Sequence, residues 1–333
     1  MKHAIISDIH GNIHALEAVL TDAAAQGADS YLCIGDYASS FPFGNEVTNT
    51  LRGLKNATII RGNGEGYFIN LLGKDPATLT AEQFKPVYWG YKHLSPENLH
   101  FLTTLPETAE ITDNGITIHL AHARDLFFRT PQIPLFRSHS PEFLQLIDAP
   151  GYTRTHLLTQ AKADLLSVPA AVAEIKKMPE GVYLSGHNHI QFYMNHENRV
   201  FINPGSCGEP LDGDARASYT ILSVNPTGEY SIDERRISYD QLAAATALHT
   251  AGYHAYAPIW SDIMEAELCT GRDFFYPLAA HVFETAGKMG EASYPVSNAA
   301  WEEAIRTRNT TLPSFCCHPR HTPDLPPTPP TAG

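Results

Sequence analysis

Residues 3–11 read HAIISDIHG, a short apolar run that is followed at once by an aspartate, a histidine and a glycine. The apolar run predicts a buried strand, and the amphipathic segment after it predicts a helix with Ile13, Leu16 and Leu20 facing inward. The same alternation continues, with predicted strands at 3–7, 31–34 and 57–60 and predicted helices at 12–26 and 45–54. Alternating strands and helices indicate an α/β fold with parallel strands.

Polar motifs follow five predicted strands at their carboxyl ends. They are Asp8-Ile9-His10, Gly35-Asp36, Gly62-Asn63, the single His122 after strand 116–121, and Gly186-His187-Asn188-His189 after strand 182–185. Ligands of open α/β sheets bind beyond the carboxyl ends of the strands. We therefore expect these side chains to meet at one edge of the fold.

The residue types in these motifs are typical of a metal site. Carboxylates and neutral imidazoles bind zinc, manganese or iron, and an amide oxygen adds a neutral donor. The glycines at 35, 62 and 186 allow the sharp turns that bring side chains from separate strands together. Each motif alone is weak, because a lone histidine at a strand end is more often structural. Their joint occurrence in this order favours a metal centre.

The composition excludes some classes of function. The formal net charge of −13 argues against stable binding of nucleic acids through the overall field, so an anionic substrate needs local positive charge such as metal ions. Five cysteines without a CxxC spacing indicate neither a zinc ribbon nor a disulfide framework. No apolar run is long enough for a membrane span. We expect a cytoplasmic protein without membrane association; a homo-oligomer is left open.

The rest of the chain divides into three parts. Residues 123–180 predict a mostly helical insertion, which we expect to border the substrate cleft. The strands that follow, at 182–185, 190–195, 200–202, 217–224 and 230–236, have turn signals that favour mainly antiparallel pairing. Residues 238–312 predict a helical extension that contributes packing or a subunit contact, and the proline-rich residues 313–333 predict a disordered tail.

Taken together, these motifs resemble the calcineurin-like metallophosphoesterase superfamily, with its pattern DxH, GD, GN(H/C)(D/E), a later histidine and GHxH. The resemblance covers about residues 1–236. The segments Asn203-Pro204-Gly205-Ser206, Asp212-Gly213-Asp214 and Arg216-Ala217-Ser218-Tyr219 resemble a bacterial and archaeal branch of small predicted phosphodiesterases. The resemblance implies a domain at 1–237 in which two facing mixed β-sheets are flanked by helices, an αββα sandwich.

The resemblance also implies a role for each motif residue. It assigns Asp8, His10 and His189 to a first metal ion, Asp36 to a bridge between two ions, and Asn63, His122 and His187 to a second ion. Asp36, Asn63 and His122 would be the most directly catalytic, and a hydroxide shared by the two ions would attack phosphorus. The ions would be divalent manganese, iron, zinc, nickel or cobalt. The resemblance implies a small phosphorylated substrate, with Arg216 as a candidate phosphate contact.

One position departs from the family pattern. Many members have a histidine after GN that can assist the leaving group, whereas this chain has Gly64 followed by Glu65. The leading prediction is therefore a metal-dependent phosphodiesterase. The alternatives are a non-catalytic interaction scaffold of the same fold that still binds metal, and a phosphomonoesterase or protein phosphatase.

Overall fold

The structure is a computed structural model that describes residues 1–123, 127, 141–291, 294–308 and 312. The proline-rich segment 313–333 lies outside the described residues. The ten strands are β1 (Lys2–Ile6), β2 (Ser30–Cys33), β3 (Ala57–Ile59), β4 (Thr108–Asp113), β5 (Ile116–Ala121), β6 (Gly181–Leu184), β7 (Gln191–His196), β8 (Arg199–Pro204), β9 (Ala217–Val224) and β10 (Tyr230–Ile237).

The described helices alternate with the strands in the first half and dominate the end of the chain. They are α1 (Ile13–Ala25), α2 (Gly44–Gly53), α3 (Asn63–Leu71), α4 (Lys85–His93), α5 (Pro96–Thr104), α6 (Pro141–Asp148), α7 (Arg154–Leu166), α8 (Pro169–Ile175), α9 (Gln241–Thr250), α10 (Tyr253–Tyr256), α11 (Pro258–Thr270), α12 (Phe275–Lys288) and α13 (Asn298–Thr307). Asn12 caps α1 by accepting a hydrogen bond from the amide of Ala15, and Ser95 caps α5 with Pro96 in its first turn.

The strands form two five-stranded mixed sheets, ordered β10-β9-β1-β2-β3 and β4-β5-β6-β8-β7. Strands β1, β2 and β3 are parallel to one another, as the alternating pattern predicts. In the second half β7 pairs with β8 and β9 pairs with β10 in antiparallel fashion. However, β6 is parallel to both of its neighbours, β5 and β8. The expectation of mainly antiparallel pairing was wrong for β6, because α6–α8 lie between β5 and β6 and form a crossover connection.

A layer of aliphatic side chains separates the two sheets. Ile5, Ile34 and Leu222 of the first sheet lie in one buried cluster with Leu120 and Val182 of the second. The opposite face of the first sheet packs on α1, where Leu16 and Val19 are buried. The two facing mixed sheets flanked by helices confirm the predicted α/β sandwich.

Helices α9–α13 form a separate hydrophobic cluster that also holds residues of the first half of the chain. Phe41 and Trp89 are buried in it together with Trp260, Tyr253 and Trp301. The helices after residue 238 therefore pack against the sandwich. The division into domains at residue 237 stays a prediction. No helix among the described residues is long and apolar enough to cross a lipid bilayer.

Candidate metal centre

The carboxyl ends of five strands meet at one edge of the sandwich. The loop after β1 bonds to the loop after β2, since the amides of Asp8 and His10 donate to the carbonyls of Gly35 and Asp36 at 3.0 Å each. The amide of Gly186, after β6, donates to the carbonyl of His122, after β5, at 2.8 Å. Side chains that are far apart in sequence are thereby brought to one place.

The backbone at this edge is unusual. Ten described residues other than glycine have a positive φ, and half of them are predicted metal ligands: Asp8, His10, Asp36, His187 and His189, with φ between 53° and 71°. The left-handed region is sparsely populated by such residues, and it persists where the surroundings enforce it. Such outliers cluster at functional sites, so this observation supports a built site independently of residue type.

The first group of candidate ligands is Asp8, His10 and His189, whose ligand atoms lie within 4.8 Å of one another. The Nε2 atoms of His10 and His189 are 3.1 Å apart. Nε2 of His189 lies 3.4 Å from Oδ1 of Asp8, and Nε2 of His10 lies 3.9 Å from the same atom. All three residues are buried.

The second group is Asp36, His122 and His187, again within 4.8 Å. Nε2 of His122 lies 3.3 Å from Oδ2 of Asp36 and 3.1 Å from Oδ1 of Asn63. Oδ2 of Asp36 is also 3.9 Å from Nε2 of His10, so Asp36 faces both groups. Asn63 and His187 are exposed whereas Asp36 and His122 are buried, so the centre opens on the side of Asn63 and His187.

The imidazole rings are oriented by their other nitrogen. Nδ1 of His122 donates to the carbonyl of Ile34 at 2.7 Å, and Nδ1 of His189 donates to the carbonyl of Glu209 at 2.6 Å. A carbonyl can only accept, so in the neutral rings Nε2 carries the lone pair. These lone pairs converge with carboxylate oxygens on the same space. Hydrogen bonds of this kind, from the ring nitrogen that does not bind the metal to a carbonyl, are how proteins orient metal-binding histidines.

The buried carboxylates are stabilised by positive charge close to them. Burial alone would lower the pKa of His122, but Asp36 beside it outweighs burial and raises that pKa to about 10. Burial would raise the pKa of Asp36, but His122 and His10 outweigh it and hold the pKa well below its usual range. Divalent cations would supply that charge and displace the protons. The donor set and its electrostatics therefore fit a pair of metal ions.

Glu65 holds two of the ligand loops together, a role that the sequence reasoning missed. Its buried carboxylate accepts hydrogen bonds from the amides of Asp36, Tyr37 and Gly62 at 2.8–3.0 Å. Gly62 must be glycine, since a Cβ there would lie 2.1 Å from Oδ1 of Asp36. The only sequence signal for Glu65 was its place in the family pattern, where acidic residues are common.

A cavity of about 230 Å³ adjoins the candidate centre and is bordered by His10, Asp36, Asn63, His187 and His189. Seven residues of the C-terminal helices also border it: Trp260, Ile263, Met264, Glu267, Asp273, Phe275 and Tyr276. None of the described residues of the predicted insertion, 123, 127 and 141–180, borders this cavity, and the rest of the insertion lies outside the described residues. The expectation that residues 123–180 border the substrate cleft stays a prediction, and the C-terminal helices form a wall that the sequence did not predict.

The structure does not bring Arg216 to the cavity. Its guanidinium group is bound to both carboxylate oxygens of Asp214, with contacts of 2.6–3.2 Å, and its side chain is 51% exposed. Its charge is therefore already paired on the surface. The prediction of Arg216 as a phosphate contact has no support in this geometry.

A further group of potential metal ligands lies on the C-terminal helices. His249, His254 and Glu265 have ligand atoms within 4.8 Å of one another, and Nε2 of His249 lies 2.6 Å from Oε1 of Glu265. His249 is exposed and no strand end contributes to this group. It is separate from the centre described above.

The two-sheet sandwich with paired carboxylate and histidine groups at one edge defines a metallophosphoesterase fold and site. The calcineurin-like phosphoesterase superfamily domain matches residues 1–227, and the chain belongs to this family. An uncharacterized protein of Methanocaldococcus jannaschii is 28% identical over 242 residues, which cover 71% of this chain and 87% of that protein.

Solved structures show the same fold. A metallophosphoesterase from Sphaerobacter thermophilus is 23% identical with a TM-score of 0.53, and the match covers 81% of this chain and 99% of that one. A hypothetical protein from Pyrococcus horikoshii is 17% identical with a TM-score of 0.55, covering 78% and 97%. The family membership supports a metal-dependent phosphoesterase hydrolase.

Proposed function

We propose that this chain hydrolyses phosphate diesters with two divalent metal ions held at the sheet edge. The observation that carries the proposal is the convergence of donor atoms from five separate loops, with five of the donor residues held in the left-handed conformation. In this proposal Asp8, His10 and His189 would hold a first ion and Asn63, His122 and His187 a second, with Asp36 available to both.

Each protein group has a positioning task in this scheme. The carbonyls of Ile34 and Glu209 fix the rings of His122 and His189, and the amide of Gly64 holds Oδ1 of Asp36 at 2.7 Å. When bound, two divalent ions lower the pKa of a shared water and neutralise charge on the phosphoryl oxygens. The exposed Asn63 lies on the open side of the centre, where a phosphoryl group would enter.

The charge around the cavity favours diesters over monoesters. No lysine or arginine borders the cavity among the described residues, whereas Asp36, Glu209, Glu267 and Asp273 do. A phosphomonoester carries close to two negative charges at neutral pH and a diester carries only one. Within the described part of the chain, the metal ions would be the only cations at the cavity, so the diester is repelled less by these carboxylates.

The proposal is tested by turnover at known metal content. Protein reconstituted with manganese should hydrolyse bis(p-nitrophenyl) phosphate with a higher kcat/KM than p-nitrophenyl phosphate. Asp36→Asn should lower that value by about 10²-fold or more, since it weakens both ion sites. Asp75→Asn, which changes the charge equally at an exposed turn, is the matched control.

Three other outcomes would replace the proposal. Metal bound without turnover of any ester would indicate a scaffold of the same fold. A preference for the monoester would indicate a phosphomonoesterase, and activity confined to phosphorylated proteins would indicate a protein phosphatase. Turnover retained after complete chelation would exclude the metal-dependent scheme altogether.

A further inference from the structure

The wall that the C-terminal helices add to the cavity is acidic and aromatic. On α11 the positions Trp260, Ile263, Met264 and Glu267 recur at the spacing of one helix face, and all four border the cavity. Glu267 is the charged member of this otherwise apolar stripe. It is buried, with 4% of its surface exposed.

Three carboxyl groups meet on this wall. Oε1 of Glu267 accepts from the amide of Phe274 at 2.9 Å, and its side chain also bonds to that of Glu209. Oε2 of Glu209 lies 3.8 Å from Nδ1 of His10, so the cluster begins directly behind the first ligand group. Asp273 completes it and accepts from the amide of Tyr276 at 2.9 Å.

No lysine or arginine among the described residues borders this cluster, and one of its carboxylate oxygens lacks a partner. Asp273 is 5% exposed, and its Oδ2 has no hydrogen-bond partner among the described residues. Burial and the neighbouring carboxylates Glu209 and Asp273 raise the pKa of Glu267 well above its usual range. Among the described residues, the other ionisable groups that border the cavity are the Tyr276 phenol and those of the candidate metal centre. Burying a carboxylate is costly unless a cation or donor pairs with it.

The aromatic residues beside the cluster suit an organic cation. Trp260, Phe275 and Tyr276 border the same cavity, and the rings of Trp260 and Phe275 lie 4.8 Å apart. Aromatic rings attract ammonium groups, most of all where water is excluded, and carboxylates add direct ion pairing. A negatively charged arm of a substrate would be repelled at this wall.

We propose that the wall formed by Glu209, Glu267, Asp273 and the adjacent aromatic residues binds an ammonium group on the substrate, so that the preferred substrate is a phosphodiester with a cationic arm. The inference rests on the proposed phosphodiesterase function. It places the phosphate at the metal centre and the ammonium group against Asp273.

The test uses two diesters that differ by one charge. Both have p-nitrophenol as leaving group; the second alcohol is choline in one and 3,3-dimethylbutanol, which has the same shape without charge, in the other. We expect the wild type to prefer the choline diester by about tenfold or more in kcat/KM. Asp273→Asn, which keeps the acceptor for Tyr276, should bring that ratio close to one. Glu267→Gln, which keeps the acceptor for Phe274 and replaces a carboxyl group whose pKa is raised by burial, should lower the ratio less. Asp262→Asn, at a partly exposed position on α11 outside the cavity, should leave the ratio unchanged.

A second measurement separates this inference from the proposed function. Choline and 3,3-dimethylbutanol are titrated by calorimetry into the metal-loaded protein and the three variants. If both diesters are hydrolysed with equal kcat/KM, the inference is overturned while the phosphodiesterase stands. If neither diester is hydrolysed, the proposed function fails. Binding of choline that is about tenfold tighter and depends on Asp273 would then still support the ammonium site, and equal binding would overturn it.

Discussion

At the scale of single residues, the position after Asn63 determines which leaving groups the centre can assist. A Cβ at Gly64 would lie 3.0 Å from Oδ1 of Asp36 and 3.2 Å from Oγ of Ser39, so a side chain there points at the metal centre. Glycine neither donates a proton nor stabilises a leaving oxygen. The wild-type chain should therefore turn over aryl diesters, whose phenolate leaves easily, better than alkyl phosphomonoesters.

The first prediction is that Gly64→His raises kcat/KM on phosphomonoesters more than on aryl diesters, by up to about 10²-fold. The physical reason is that general acid assistance gains in value as the leaving group becomes more basic. Gly64→Ala is the control, because it introduces the same tight Cβ contact without an imidazole. Both variants are compared with wild type at equal metal occupancy. A wild type that already prefers alkyl monoesters would show that another residue supplies the proton.

At the scale of secondary-structure elements, α1 is anchored to the first sheet by one carboxylate. Asp22 near the end of α1 accepts hydrogen bonds from the hydroxyl of Tyr219 on β9 at 2.6 Å and from Arg235 on β10 at 2.6 and 3.1 Å. The hydrogen bond from Arg235 is the main reason that the pKa of Asp22 lies below its usual value. Because α1 follows directly after Asp8 and His10, this anchor also supports the site.

The second prediction is that Asp22→Asn lowers the free energy of unfolding by about 1 kcal/mol at neutral pH, since the pair is partly exposed. A carboxyl group whose folded pKa is depressed stabilises the fold above its unfolded pKa of about 3.9. That contribution is lost as the pH falls through the folded pKa, so the difference from wild type should shrink in acid. Urea unfolding at neutral and acid pH measures it. Asp233→Asn, which removes the more exposed partner of the same Arg235, should cost less.

The elements differ in how far the sequence could predict them. The strands that precede Asp8, Asp36 and His122 were predictable, because apolar runs, glycine turns and ligand residues coincide there. The parallel pairing of β6 was not, since it depends on a crossover rather than on local turns. The sequence does contain a signal for Glu267, because it is a lone acidic residue in an apolar stripe at helical spacing. Asp273 follows α11 in a segment without any motif, and only tertiary packing places it at the cavity.

At the scale of the whole molecule, the candidate metal centre and the C-terminal helices border one cavity. The sandwich supplies the ligands from its strand ends, and α11 with the start of α12 supplies the wall next to them. Phe41 and Trp89 pack with Trp260 in one hydrophobic cluster, and this packing fixes the position of the wall relative to the loop after β2. We infer that residues 238–312 determine specificity rather than serve only for packing. The arrangement also makes the stability of the entire fold sensitive to the charge at the centre.

The third prediction follows from that sensitivity. Asp8 and Asp36 are buried, with 0% and 3% of their surface exposed. Without cations their charges repel each other across the centre. Metal ions that bind only the folded state stabilise it by about 2.7 kcal/mol at a hundredfold excess over Kd. Chelation should therefore lower the Tm by on the order of 5 °C and abolish turnover, and both should return when manganese is added back.

Asp36→Asn separates this effect from general destabilisation. The variant loses one buried charge and the residue that faces both ligand groups, so its Tm should respond less to chelator and to manganese than that of wild type. Asp75→Asn, at an exposed turn, should respond as wild type does. Scanning calorimetry with elemental analysis of the same samples gives the Tm and the metal content together. If the wild-type Tm stays constant while the analysed metal content falls from two ions to none, the proton on His122 compensates the buried carboxylates, and the centre does not depend on metal for its structure.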